Sequence, residues 1–154
     1  MKIRSSVQAV IIRENKLLTV KKFDYNEYTN ILPGGGQEPG EPLKEAVVRE
    51  CLEELGVHVD VKELLFVSEY IGRNHEHAKW DSEVHVVVHL FACTLENEIH
   101  TFKGTNPDSD QVGVEWIALD ELANSNFRPK ALIPHLLMYK TQGEVKSMYI
   151  GDMG

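Results

Sequence analysis

The sequence predicts an α/β fold, a mixed β-sheet flanked by helices, on three observations. Segments with strand-like alternation both precede and follow a strongly helical stretch. A second helical stretch lies near the C-terminus. The order lacks strict strand-helix-strand alternation, so parallel and antiparallel neighbours are expected in one sheet. With 154 residues, 42% apolar and 26% charged, the chain suits one domain over residues 1–154 that buries its own core. No internal repeat, low-complexity segment or linker divides it.

SSVQAVIIRENKLLTVKKF alternates on either side of Glu14 and Asn15, which predicts a hairpin turning there. FDYNEYTN is polar and aromatic, and ILPGGGQEPGEP is a loop whose prolines and glycines oppose regular structure. From Pro42 to Leu55, PLKEAVVRECLEEL is helical: Pro42 suits the first turn, glutamates crowd the early turns and Gly56 stops it. VHVDVKELLFVSEY suits one long strand or two short ones, and IGRNHEHAKWD is a polar loop. SEVHVVVHLFACTL is the strongest strand, too continuously apolar for a solvent-facing sheet. HTFKGTNPDSDQ is a loop, VGVEWIAL a strand and DELANSN a short helix. RPKALIPHLLMYKTQ is a C-terminal helix that Pro134 either kinks or begins, and VKSMYI is a last short strand.

A formal charge of -8 and a pI near 5.3 exclude a broad basic surface for duplex nucleic acid. A small polyphosphate remains possible where a divalent cation stands between the two sets of negative charge. Cys51 and Cys93 form no disulfide framework and suit a reducing interior. No leader cleavage pattern or bilayer-length apolar window is present, so the expected location is cytoplasmic, with no membrane partner.

Gly35 to Val57 holds six glutamates against Lys44 and Arg49. On a helical wheel with Ala46 at zero, Glu53 falls at roughly 340°, Glu50 at roughly 40° and Glu54 at roughly 80°, away from the apolar side. Like charges at this spacing repel. A solvated acidic face would explain the helix alone. The preceding LPGGGQEPGE adds glycines of the kind needed where backbone approaches something closely, and converging hard oxygens suit Mg²⁺.

Gly35, Glu41 and Arg49-Glu50-Cys51-Leu52-Glu53-Glu54-Leu55-Gly56-Val57 resemble the Nudix box, GX5EX7REUXEEXGU with U aliphatic, at every fixed position. Cys51 is a mild departure at a U site, small and apolar enough for a buried face. LPGGG upstream and EWIALDEL downstream also resemble the family's flanks. The resemblance implies a Nudix-type α/β/α sandwich and a Mg²⁺-dependent pyrophosphohydrolase, with Mn²⁺ a possible substitute. Such an enzyme cleaves a nucleoside diphosphate linked to a further moiety by metal-activated water. Carried over by position, Glu50, Glu53 and Glu54 are metal-binding carboxylates and Gly34 adds a carbonyl. Arg49 and Glu41 brace the loop and helix, with Gly35 and Gly56 in structural support. Glu53, Glu50 and, in the loop DSDQ, Asp110 are candidates for the base; Asp110 also suits a plain turn residue.

The chain looks most like the general MutT-like group acting on nucleoside triphosphates. The alternatives are an ADP-ribose or other nucleotide-sugar pyrophosphatase and a non-catalytic nucleotide-sensing domain; monomer and homodimer are both open. His75 and His77 have an H-x-H form that could suit Zn²⁺, although a surface loop is the plainer explanation. His85 and His89 share one strand face. Lys21, Lys22 and Arg73 are candidates for phosphate contact, although lone basic residues beside strands usually just dress an edge. Tyr25, Tyr28, Phe66, Tyr70 and Trp80 are available to stack a base.

Overall fold

Alternation along the first strand, β1 (Lys2–Val10), sends Val7 and Ala9 into one apolar core and Val10 into another. The computed structural model describes residues 1–98 and 101–154. After β1 come β2 (Ile12–Arg13) and β3 (Lys16–Asp24), joined at Glu14 and Asn15 with φ of 53° and 60°. This is the expected hairpin, and two positive φ values match its turn to the right-handed twist of the strands.

FDYNEYTN forms a second hairpin that the sequence reading lacks. β4 (Glu27–Ile31) runs back along β3 through Tyr25 and Asn26, whose φ values are 48° and 61°. Tyrosine rather than the usual turn residues stands at the first left-handed position, so the turn signal is weak. The glycine loop also differs from expectation. β5 (Gly34–Gly36) pairs antiparallel with β1, setting Val7 opposite Gly35 and Gln8 opposite Gly34. Glycine weakens a strand in isolation, but only glycine permits this approach: a Cβ on Gly34 would collide with the Val7 carbonyl oxygen.

Helix α1 (Leu43–Leu55) starts one residue after Pro42, which is extended and flanks the helix rather than entering its first turn. Gly56 ends it with φ 72°, its N–H donating to the Leu52 carbonyl at 3.0 Å. β6 (Val59–Ile71) is one long strand. The expected polar loop after it contains a 3₁₀ turn at Gly72–Asn74 and a single-turn helix, α2 (Ala78–Asp81). β7 (Val84–Leu95) and β8 (Gln111–Ala118) follow. The first residue of the loop predicted over HTFKGTNPDSDQ lies outside the described residues. DELANSN lies largely in a 3₁₀ segment, Leu119–Asn124. Another 3₁₀ turn, Lys130–Leu132, leads into α3 (Ile133–Gln142), so Pro134 begins the C-terminal helix rather than kinking it. The last strand, β9 (Tyr149–Asp152), starts later in the chain than VKSMYI suggests.

Among the described residues, β5, β1, β7, β6 and β9 form a mixed sheet in that order, with β1 parallel to β7 and β9 parallel to β6. In the second sheet, β3 is central: β8 lies along one edge, and β2 and β4 share the other. One core packs Ala46, Val47, Cys51 and Leu55 of α1 against Val7, Ala9, Leu18, Val20, Phe91 and Cys93. The opposite core packs Leu132, Ile133 and Leu136 with Val10, Leu17, Phe66 and Leu90. The mixed sheet flanked by helices is therefore present, and the first of these cores holds α1 against the glycine strand.

Candidate active site

The apolar stripe of α1 faces its core, and two glutamates from other positions of the helix, Glu50 and Glu54, meet β5. Glu54 is 2% exposed, and its Oε1 accepts a hydrogen bond from the Gly34 N–H at 2.7 Å. Its other oxygen, Oε2, is buried with no donor. Burial pushes the Glu54 carboxyl up to about 8, against the Gly34 N–H and the Lys22 ammonium, which favour the charged form. Glu50 lies under Gly35, where an added Cβ would stand 2.6 Å from the carboxylate. Burial also raises the Glu50 carboxyl, and the adjacent Arg49 opposes the shift.

Arg49 gathers the segment. Its Nε and one terminal nitrogen donate to the two oxygens of Glu41 at 2.7 and 3.0 Å, a paired contact suited to guanidinium geometry. The second of these nitrogens also donates to the Gly36 carbonyl at 2.8 Å. The other terminal nitrogen meets Glu50 at 2.9 Å and Glu53 at 3.3 Å. Hydrogen bonds from Arg49 hold the Glu41 carboxyl below its ordinary range. Glu41 in turn accepts from the Glu38 N–H at 3.0 Å, so one arginine ties loop, glycine strand and helix together.

A second wall comes from the segment before β8. Lys22 approaches Asp108 at 3.3 Å and Asp110 at 3.8 Å. Burial pulls the Lys22 ammonium down, but Asp110, Asp108 and Glu54 outweigh it and leave it raised. Asp110 therefore stands beside Lys22, and its backbone carbonyl accepts from Phe23 at 2.9 Å. Gln111 donates to the backbone carbonyl of Glu54 at 2.9 Å, and the Asn106 N–H donates to that of Glu53 at 3.0 Å. These bonds satisfy carbonyls at the helix end that lack an intrahelical partner. Asp108 and Gln111 escaped the sequence reading. The one available signal was the proximity of Asp108 to Asp110 in DSDQ; the cap formed by Gln111 has no local pattern.

A cavity of about 250 Å³ is lined by residues including Gln8, Tyr25, Thr29, Tyr70, His77 and Arg128. Gln8 sits opposite Gly34 on the paired strands. Tyr25 stacks on His77 with ring centroids 4.0 Å apart and planes at 11°. Asp81 accepts from both the Tyr25 and Tyr70 hydroxyls, at 2.8 and 2.7 Å. Phe66 is core, whereas Tyr28 and Trp80 are exposed. His85 pairs with Glu69 at 2.9 Å and His89 with the Ser6 carbonyl at 2.9 Å, so both strand histidines have partners. His75 and His77 diverge: His75 meets Asp152 at 2.7 Å, while His77 turns to Glu27 and Glu76.

A glycine strand, a carboxylate helix and their arginine brace define the class. The NUDIX domain model matches residues 2–136, and the chain belongs to the Nudix family. It is 32% identical over 118 residues to the Xenopus laevis protein named nucleoside diphosphate-linked moiety X motif 6, covering 75% of this chain and 49% of that one. It is 44% identical over 64 residues to an ADP-ribose pyrophosphatase of Methanocaldococcus jannaschii, covering 40% of this chain and 37% of that one. The chain thus spans about half the length of the first relative and less of the second. A solved NUDIX hydrolase from Nitrosomonas europaea superposes with a TM-score of 0.73 at 22% identity, covering 94% and 92% of the two chains, a likeness of fold.

Proposed function

We propose that residues 1–154 form a single-domain pyrophosphohydrolase that cleaves the phosphoanhydride bond of a nucleoside di- or triphosphate derivative, foremost a nucleoside triphosphate in the MutT-like manner. The observation that carries this reading is Glu54: a carboxylate with one oxygen bonded to Gly34 and the other buried without a donor. An anionic oxygen in that state is costly unless a cation answers it. Gly35 adds to the fit, since its missing Cβ leaves room for the Glu50 carboxylate. Nudix hydrolases generally use a divalent metal. The all-oxygen donor set of Glu50, Glu53, Glu54 and the Gly34 carbonyl suits Mg²⁺, with Mn²⁺ as a substitute. When bound, the ion supplies charge neutralisation at the phosphates and lowers the pKa of a water.

The chain's own groups do the rest. Arg49 holds Glu50 and Glu53 in register through its bonds to Glu41 and Gly36. Glu53 or Glu50 accepts the proton of the attacking water, and Asp110 is a further candidate. Lys22 offers an ammonium beside Asp108 and Asp110 for phosphate charge. Tyr25 and His77 supply a stacked aromatic wall for the remainder of the substrate.

The archaeal relative's name favours a second reading, hydrolysis of ADP-ribose or another nucleotide sugar. Incubating the chain with Mg²⁺ and a panel of nucleoside triphosphates and nucleotide sugars separates the two by product: pyrophosphate plus nucleoside monophosphate, or two monophosphates. Tight nucleotide binding with no turnover of any substrate would instead make it a sensing domain. The two free, buried cysteines suit a cytoplasmic location, and no helix among the described residues is long and apolar enough to cross a membrane. The acidic surface disfavours duplex nucleic acid as a partner.

A further inference from the structure

Away from α1, Glu27, Glu76 and His77 bring three ligand-type atoms within 4.8 Å of one another. Glu27 opens β4, immediately after the Tyr25–Asn26 turn. Glu76 and His77 lie just before α2, so the two sides of the cluster belong to segments far apart in sequence. The Nε2 atom of His77 stands 3.4 Å from Glu27 Oε1 and 3.5 Å from Glu76 Oε1. These separations exceed the roughly 2.7–3.2 Å of an N–H···O hydrogen bond. They match the roughly 3.3 Å between two ligands that each lie about 2.0 Å from a tetrahedral ion.

Two further observations point the same way. The Glu27 Oε1 atom is itself shielded from solvent and accepts no hydrogen bond, although the Glu27 and Glu76 side chains are 39% and 65% exposed. The His77 ring is held flat against Tyr25 at 4.0 Å and 11°, which fixes the plane in which Nε2 projects. All three residues line the 250 Å³ cavity.

We propose that Glu27, Glu76 and His77 form a second divalent-cation site, for a borderline ion of the Zn²⁺ class. The ligand chemistry separates it from the glutamate helix. Imidazole with two carboxylates suits Zn²⁺ and its transition-metal neighbours, whereas the oxygen-only set on α1 suits Mg²⁺. Three protein ligands leave a fourth position open to a water or to a donor atom of a molecule in the cavity. An ion here clamps the tip of the β3–β4 hairpin to the segment before α2, closing one wall of the cavity with a coordinate bond in place of stacking alone.

The test titrates zinc chloride by calorimetry into the full chain, into Glu54→Gln, and into Glu54→Gln carrying either Glu27→Gln or His77→Ala. The Glu54→Gln chain is expected to keep a Zn²⁺ site, and each added substitution to weaken it by at least about tenfold. Co²⁺ in place of Zn²⁺ should give the Glu54→Gln chain the visible absorption of a low-coordinate site, lost on adding Glu27→Gln. Glu27→Gln keeps the side-chain shape, so it carries the test if His77→Ala disturbs the Tyr25 stack. Zn²⁺ affinity unchanged by both substitutions, or no Zn²⁺ binding by the Glu54→Gln chain, overturns the proposal. The readout is ion binding in a chain whose helix site is already damaged, so its outcome is independent of whether the protein hydrolyses nucleotides.

Discussion

Glu50, Glu53 and Glu54 reach their positions from adjacent turns of one helix, and Arg49, Glu41 and the glycine strand that hold them lie within a few turns of chain. The cavity takes Gln8 from β1, Tyr25 from a hairpin tip, Tyr70 from β6, His77 from the segment before α2 and Arg128 from the approach to α3. The first region is specified locally, by helix periodicity and one arginine. The second exists only when segments from across the chain pack together. Under the proposed function, chemistry placed on the first region would tolerate remodelling of the second.

The largest effect should come from Glu54→Gln, which removes the charge at the centre of the local region. Hydrolysis measured with saturating Mg²⁺ should fall by more than about 100-fold, beyond the cost of losing a residue that merely supports a ligand. Stability in chelator below about pH 8 should change little, because the buried carboxyl is already protonated there and the amide is its neutral counterpart. Full activity in this variant would sink the assignment of the site.

Arg49→Lys should follow, with kcat reduced roughly 10- to 100-fold as the loop, strand and helix lose their shared tie. Lysine offers a point charge where the structure uses a paired contact to Glu41 and a bond to Gly36. Gly35→Ala is a companion test on the backbone side. Its Cβ would meet Glu50 at 2.6 Å, whereas at Gly36 a Cβ meets nothing within 4 Å. A marked kcat loss for the first and near-parent activity for Gly36→Ala is the expected contrast.

Changing pH probes the same region without mutation. Glu54 carries a pKa raised by burial to about 8, from 4.5. In chelator the folded chain therefore holds a proton that the unfolded chain has released between these values. Stability should fall as pH rises from about 4.5 to about 8 and level off above it. Denaturant midpoints across this range should show the decline, and Glu54→Gln should flatten it. Excess Mg²⁺ should restore most of the loss at the alkaline end.

The smallest effect belongs to the dispersed region. Tyr25→Leu removes an aromatic surface stacked on His77 and should raise KM a few-fold with kcat nearly unchanged, the size of one stacking contact. Equal losses in kcat and kcat/KM would mean that the cavity wall acts on the reaction itself and that the two regions are not separable.

Much of this was legible in the residues. The hairpin at Glu14 and Asn15, the helix ending at Gly56 and the strand character of VHVDVKELLFVSEY follow from local periodicity and turn chemistry, which act over a few residues, whereas the residues alone leave open whether that stretch is one strand or two. The Tyr25–Asn26 hairpin and the glycine strand were not legible, because their conformations depend on pairing with β3 and β1 rather than on intrinsic preference.

By itself, the sequence determined that Glu50, Glu53 and Glu54 leave one helix away from its apolar stripe and that Arg49 is in reach of Glu50 and Glu53, since a helix repeats every few residues whatever surrounds it. Only the tertiary structure decided that Glu54 is buried and short of a donor, that Gln111 caps its backbone, and that His77 parts from His75 to join Glu27 and Glu76. Burial and long-range proximity are properties of the packed chain, and no local spacing encodes them.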